Sequence, residues 1–139
     1  MKKQHLAVLA FWFGLSLSPL FADDAAEKAA GAAALAWLTQ IDAANYASSW
    51  QEASAYFRGV VTKNDWTDAL TGIRKPLGKL LSRTLVKTQS ASSLPGAPDG
   101  NYVVMQFDTN FSNKKVAVET VTLVREKNGM WRAAGYYIK

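Results

Sequence analysis

The 139-residue chain carries 16 Lys+Arg against 11 Asp+Glu, with 49% apolar and 19% charged residues, the composition of a globular chain of one-domain size. Its one histidine is His5 and it has no cysteine. Residues 23–139 therefore exclude Ser-His-Asp and Cys-His nucleophile systems, disulfides, thiol redox chemistry and zinc sites with nitrogen or sulfur ligands.

Residues 1–22 read as a secretory signal peptide. Lys2 and Lys3 form a basic n-region, residues 6–17 an apolar h-region, and Ala22 a small residue at the cut before Asp23. The competing reading is an uncleaved anchor. It needs about eighteen apolar residues, and Ser16, Ser18 and Pro19 interrupt the run. No cysteine follows the cut, which excludes a lipid-modified N-terminus. Either reading puts the following domain outside, and export without cysteine suits a bacterial periplasm. Without Lys2 and Lys3, 14 basic residues face 11 acidic ones, a net charge of +3.

Asp24, three residues before Glu27, predicts a helix N-cap with its reciprocal partner. An alanine-rich helix follows to about Ala44, with Ala34, Leu38 and Ile41 on one stripe and Trp37 beside them. A second helix begins at Asn45 or Ser48, places Tyr46, Trp50, Ala53 and Phe57 on one face, and ends at Gly59. Thr62 and Asp65 open a third, striped by Trp66, Leu70 and Ile73. Pro76 and Gly78 predict its end near Arg74.

The apolar period then becomes two. Residues 81–90 alternate loosely and carry Arg83 and Lys87, charges typical of an edge strand. The loop 94–100 holds Pro-Gly and Pro-Asp-Gly turn signals, with Gly96 and Gly100 expected to admit positive φ. Residues 102–111 form a strand with Val103, Met105 and Phe107 on one face. Residues 116–126 form another, and Asn128-Gly129 predicts a hairpin into a last strand, 130–138. In that last strand Trp131 and Tyr137 are expected to face one way, Tyr136 and Ile138 the other. The expected architecture is α+β: three N-terminal helices packed on a curved, four-stranded antiparallel sheet, cone-like, in one domain spanning 23–139.

Several groups of residues resemble a known family. They are Trp37-Leu38 with Ile41-Asp42, the stretch from Tyr46 to Trp50, Arg74-Lys75-Pro76-Leu77-Gly78 with Arg83, and the loop Leu94-Pro95-Gly96-Ala97-Pro98-Asp99-Gly100. Glu119-Thr120-Val121, Trp131-Arg132 and Gly135-Tyr136-Tyr137 continue the likeness. Together they resemble the bacterial exported family called domain of unknown function 4019, over nearly all of residues 23–139. That resemblance implies no activity. The element order also resembles the nuclear-transport-factor-2-like cone, a likeness of topology that brings no functional residues.

Candidate binding residues are Trp50, Trp66, Arg74, Arg83 and Tyr137. Trp37, Trp50, Trp66 and Trp131 either line an apolar pocket or pack the core, and packing is the expectation, because three of them lie on helix stripes. Arg74 and Arg83 flank the Pro-Leu-Gly turn. They either fork around a ligand carboxylate or phosphate, or pair internally with Asp42, Glu52 or Asp65. Asp108 and Glu119 lie on neighbouring strands, where surface charge is the expectation. Inside a cone beside Tyr46, Tyr102 or Tyr137, either carboxylate would instead be an ingredient of proton abstraction.

Lys114-Lys115 and Arg125 with Lys127 read as a solvated face. A net +3 without clustering does not indicate nucleic acid, no metal-ligand spacing occurs, and no cofactor or catalytic residue is implied. The functional expectation is a non-enzymatic exported module that binds a small ligand or an extracytoplasmic protein. It would have no membrane span after cleavage and would form a homodimer through the open face of the sheet. The alternative is a small cone-fold enzyme using Asp/Glu and Tyr for proton transfer. An inhibitor presenting loop 94–100 is a third reading.

Overall fold

The computed structural model describes residues 20–139, with side chains from Asp24 onward; residues 1–19 of the signal-peptide reading lie outside the described residues. The order is α1 (Leu20–Asp42), α2 (Tyr46–Gln51), α3 (Ala55–Val60), α4 (Lys63–Leu77), then β1 (Leu80–Ala91), β2 (Tyr102–Phe111), β3 (Lys114–Arg125) and β4 (Trp131–Ile138). The strands form one antiparallel meander, β1-β2-β3-β4. The described residues form an α+β fold with four helices and four strands.

Three helical expectations are corrected. The second predicted helix is two, because Ser54 ends the run: its side chain caps α3 by accepting from Phe57 N–H, while its own N–H donates to the Ala133 carbonyl of β4. Asp24 lies inside α1 rather than at its N-cap. Helix α4 runs past Arg74 to Leu77 with Pro76 inside it. A proline in a last turn forfeits one helical hydrogen bond, and here the β2–β3 turn supplies partners for the terminal carbonyls. Asn113 donates from Nδ2 to Pro76 O and from its backbone N–H to Leu77 O, at 3.0 and 2.9 Å.

Alternation on β2 turns Val103, Met105 and Phe107 toward the helices, and the β2–β3 register turns Glu119, Val121 and Leu123 the same way. They meet Ala30, Ala34, Trp37, Leu38 and Ile41 of α1, Phe57 of α3, and Trp66 and Leu70 of α4 in one core. Ile73, expected on the α4 stripe, is 47% exposed, and Arg74 takes the buried position after Leu70. On β4 a register shift opposite Thr122 and Leu123 breaks the simple alternation. Tyr136 and Ile138 share the core face opposite Tyr137, as expected, but Trp131 packs on the core with them instead of siding with Tyr137, which corrects its expected facing.

The loop after β1 is held in place. Leu94 is buried with Tyr102 and Val104, Ala97 N–H donates to Leu94 O, Gly100 N–H to Ser92 O, and the Tyr56 hydroxyl to Gly96 O. Gly96 has φ +79°, as the Pro-Gly signal predicts; Gly100 does not adopt positive φ, which corrects that half of the expectation.

Candidate functional site

Beneath the helices, six elements each contribute one polar side chain to a single cluster: Asp42 from α1, Arg74 from α4, Arg83 from β1, Thr109 from β2, Glu119 from β3 and Tyr136 from β4. Register brings the strand residues together, since Arg83 pairs with Thr109 and Tyr136 with Val121, two residues along the strand from Glu119.

Glu119 is fully buried. Its Oε1 accepts from Arg83 Nε at 2.7 Å and Thr109 Oγ1 at 2.6 Å; its Oε2 accepts from Arg83 Nη2 at 3.2 Å and from the Tyr136 hydroxyl. Four donors fill the acceptor positions of one carboxylate. The opposite side of the Arg83 fork grips Asp42, Nη1 to Oδ2 at 2.8 Å and Nη2 to Oδ1 at 2.9 Å, and Arg74 Nη2 adds 3.1 Å to the same Oδ1.

Two guanidiniums thus balance two carboxylates, the arrangement that makes buried charge tolerable. Burial works against the charge on Arg83, but its hydrogen bonds to Asp42 and Glu119 and their negative charges outweigh it, leaving its pKa above the ordinary arginine value. Burial first, and the Glu119 charge second, hold the Tyr136 phenol well above its usual 10.0. Arg74 lies over the Phe111 ring, 4.7 Å from its centroid, with Nε and Nη1 buried and unpartnered.

Tyr136 also ends an aromatic stack. Its ring meets Trp37 edge-on at 5.7 Å, Trp37 stacks on Trp66 at 6.0 Å, and Phe57 meets Trp66 edge-on at 4.9 Å. Both buried indoles are satisfied by one residue, Ser49: Trp37 Nε1 donates to its carbonyl and Trp66 Nε1 to its hydroxyl.

Of the sequence candidates, Arg74 and Arg83 are brought together, through Asp42 as expected but with Glu119 in place of Glu52 or Asp65. Trp66 is in the aromatic core. Trp50 is half-buried, donates to Val61 O and lies under Arg58, so it stands apart from the arginines. Tyr137 is 43% exposed on the other face of the sheet. Asp108 is exposed as expected, whereas the surface reading of Glu119 is wrong. Period two would have placed Glu119 with Val121 and Leu123. Thr109 and Tyr136 were missed; the first follows Val103, Met105 and Phe107 by alternation, and the second sits beside a bulge whose sequence mark is Gly135 inside the strand.

Among the described residues, no three His, Cys, Asp or Glu side chains group to hold a metal, and no helix is long and apolar enough to cross a membrane. The fold and its buried ion cluster define a small α+β domain. The chain belongs to the family described as protein of unknown function DUF4019, whose profile matches residues 33–136. A comparison with curated proteins finds no match.

Proposed function

We propose that the chain is a non-enzymatic module, exported to a bacterial periplasm after removal of residues 1–22, that binds a small ligand or an extracytoplasmic protein. The saturation of Glu119 supports this reading best. A general base needs a free lone pair within reach of a substrate proton, whereas Glu119 is the one fully enclosed carboxylate among the described residues and already accepts from four donors. The core around it is packed with Trp37, Trp66, Phe57 and Tyr136.

A cone of the nuclear-transport-factor-2 type fits the order of helices followed by a four-stranded meander, and that likeness carries no function. The alternative, a proton-transfer enzyme, draws on the direct hydrogen bond between Glu119 and Tyr136, the pairing of acid and phenol such chemistry uses. It requires a substrate to displace Arg83 or Thr109.

Native mass spectrometry of protein purified from its own periplasm tests the proposal. The expected result is an intact mass of residues 23–139 with a bound ligand or protein. Recovery only with membranes at a mass including Met1 would overturn the export reading, and a bare chain that turns over substrates through Glu119 would overturn the binding reading.

A further inference from the structure

Helix α1 and strand β1 run side by side, pinned at both ends. The Ser90 hydroxyl donates to Glu27, and Arg83 donates to Asp42. Fifteen residues of helix rise about 22 Å and seven residues of strand about 23 Å, so the two spans match. Around the helix, Leu35 lies only about 20° from Asp42 at roughly 100° per residue, on the side facing β1. It also lies about halfway between the pins, level with Val86.

Leu35, Leu81, Leu85 and Val86 are 51, 58, 46 and 52% exposed. The seam between α1 and the free edge of β1 is therefore an aliphatic strip open to solvent, which Leu81 extends past the Arg83 pin. Leu81 and Val86 are the residues without a partner at the two register shifts of β1. Bulges bend an edge strand out of line for further ladder pairing and re-aim side chains. The strip is accordingly built to dock through side chains rather than by adding a strand.

We infer that this seam is an interface between two copies of the chain, related by a two-fold axis. Four half-exposed aliphatic residues offer on the order of 300 Å² of apolar surface per copy, most of the non-polar share of a standard interface of about 800 Å² per partner. Arg83, at the Asp42 end of the seam between Leu81 and Leu85, is neutralised internally by Asp42 and Glu119, so that end of the strip does not repel its own copy. The other face of the sheet exposes Asp108 beside Val116 and Tyr137, buries Thr120 and Thr122, and is covered at one end by loop 92–101, which lays Leu94 against Tyr102 and Val104.

The inference goes beyond the binding proposal and stands or falls separately. Sedimentation equilibrium of the full chain as exported, from micromolar to several hundred micromolar, is the test. The expected result is a monomer–dimer equilibrium whose dissociation constant weakens at least tenfold in Leu85→Asp and in Leu35→Asp, two exposed sites on different elements, with far-UV circular dichroism unchanged. Leu35→Cys, in a chain with no cysteine of its own, should cross-link to dimer on oxidation faster than Val116→Cys, whose site is also exposed. A single monomer mass throughout would overturn the interface. So would a dimer that both aspartate variants leave intact and Tyr137→Asp dissociates. In either case the ligand- and protein-binding reading would remain standing.

Discussion

Arg74 and Arg83 share a carboxylate but have unequal roles. Arg83 makes four hydrogen bonds to Asp42 and Glu119; Arg74 makes one and leaves two buried nitrogens unpartnered. Replacing Arg83 with methionine strands Glu119 and Asp42, and breaking a buried pair costs about 3–5 kcal/mol. Arg74→Met also removes two unsatisfied donors and keeps the apolar contact with Phe111, so its expected cost is smaller, about 1–2 kcal/mol. Urea denaturation of the two variants checks the order. Tyr136 adds a pH signature. Its folded pKa is raised above 10.0, so the unfolded chain gives up the phenolic proton first. The phenol's stabilising contribution is complete below about pH 10 and is lost as the pH rises through the folded value. Tyr136→Phe should flatten that alkaline decline in a stability–pH profile. At neutral pH it should cost about 1–2 kcal/mol by leaving one acceptor position of Glu119 unfilled.

Two glycines hold elements in place for different reasons. Gly78, at φ +81°, ends α4 where an added Cβ would lie 2.1 Å from Ser112 Oγ, and that hydroxyl accepts from Lys79 N–H. Gly96, at φ +79°, has open space around it, so its constraint is the backbone alone. Gly96→Ala should cost about 1 kcal/mol, Gly78→Ala more because a clash adds to the strain, and Gly100→Ala close to nothing. Thermal midpoints of the three variants give the ranking. The same elements show where the sequence was readable. Strand β2 was legible to its ends because period two and flanking turns agree, and the Asn128-Gly129 hairpin was equally plain. The break at Ser54 was not, since it depends on a hydrogen bond to Ala133 more than seventy residues away. Nor was the burial of Arg74 over Ile73: an apolar stripe template has no place for a guanidinium whose carboxylate comes from another helix. The facing of Trp131 was hidden by the bulge on β4, which reverses parity at Ala134, although Gly135 inside the strand marks the place.

At the scale of the molecule, the helices and the sheet are joined by the aromatic stack and by the ion cluster, with Tyr136 belonging to both. Every strand and two helices donate a residue to that cluster, so it fixes how the helical layer sits on the sheet. This supports the central claim of the proposed reading, that Glu119 is a structural centre rather than a waiting base. The roles differ in their effect on stability. Active-site groups are commonly held at some cost to the fold, and replacing them leaves stability unchanged or raised. A saturated buried carboxylate has the opposite sign. Glu119→Gln keeps the shape but removes the charge that Arg83 is buried against, and its amide nitrogen offers hydrogens to donors that already carry their own. Equilibrium urea unfolding of Glu119→Gln beside the unmodified chain is the most direct measurement. The expected result is a loss of about 3–5 kcal/mol at neutral pH; an unchanged or higher midpoint would contradict it.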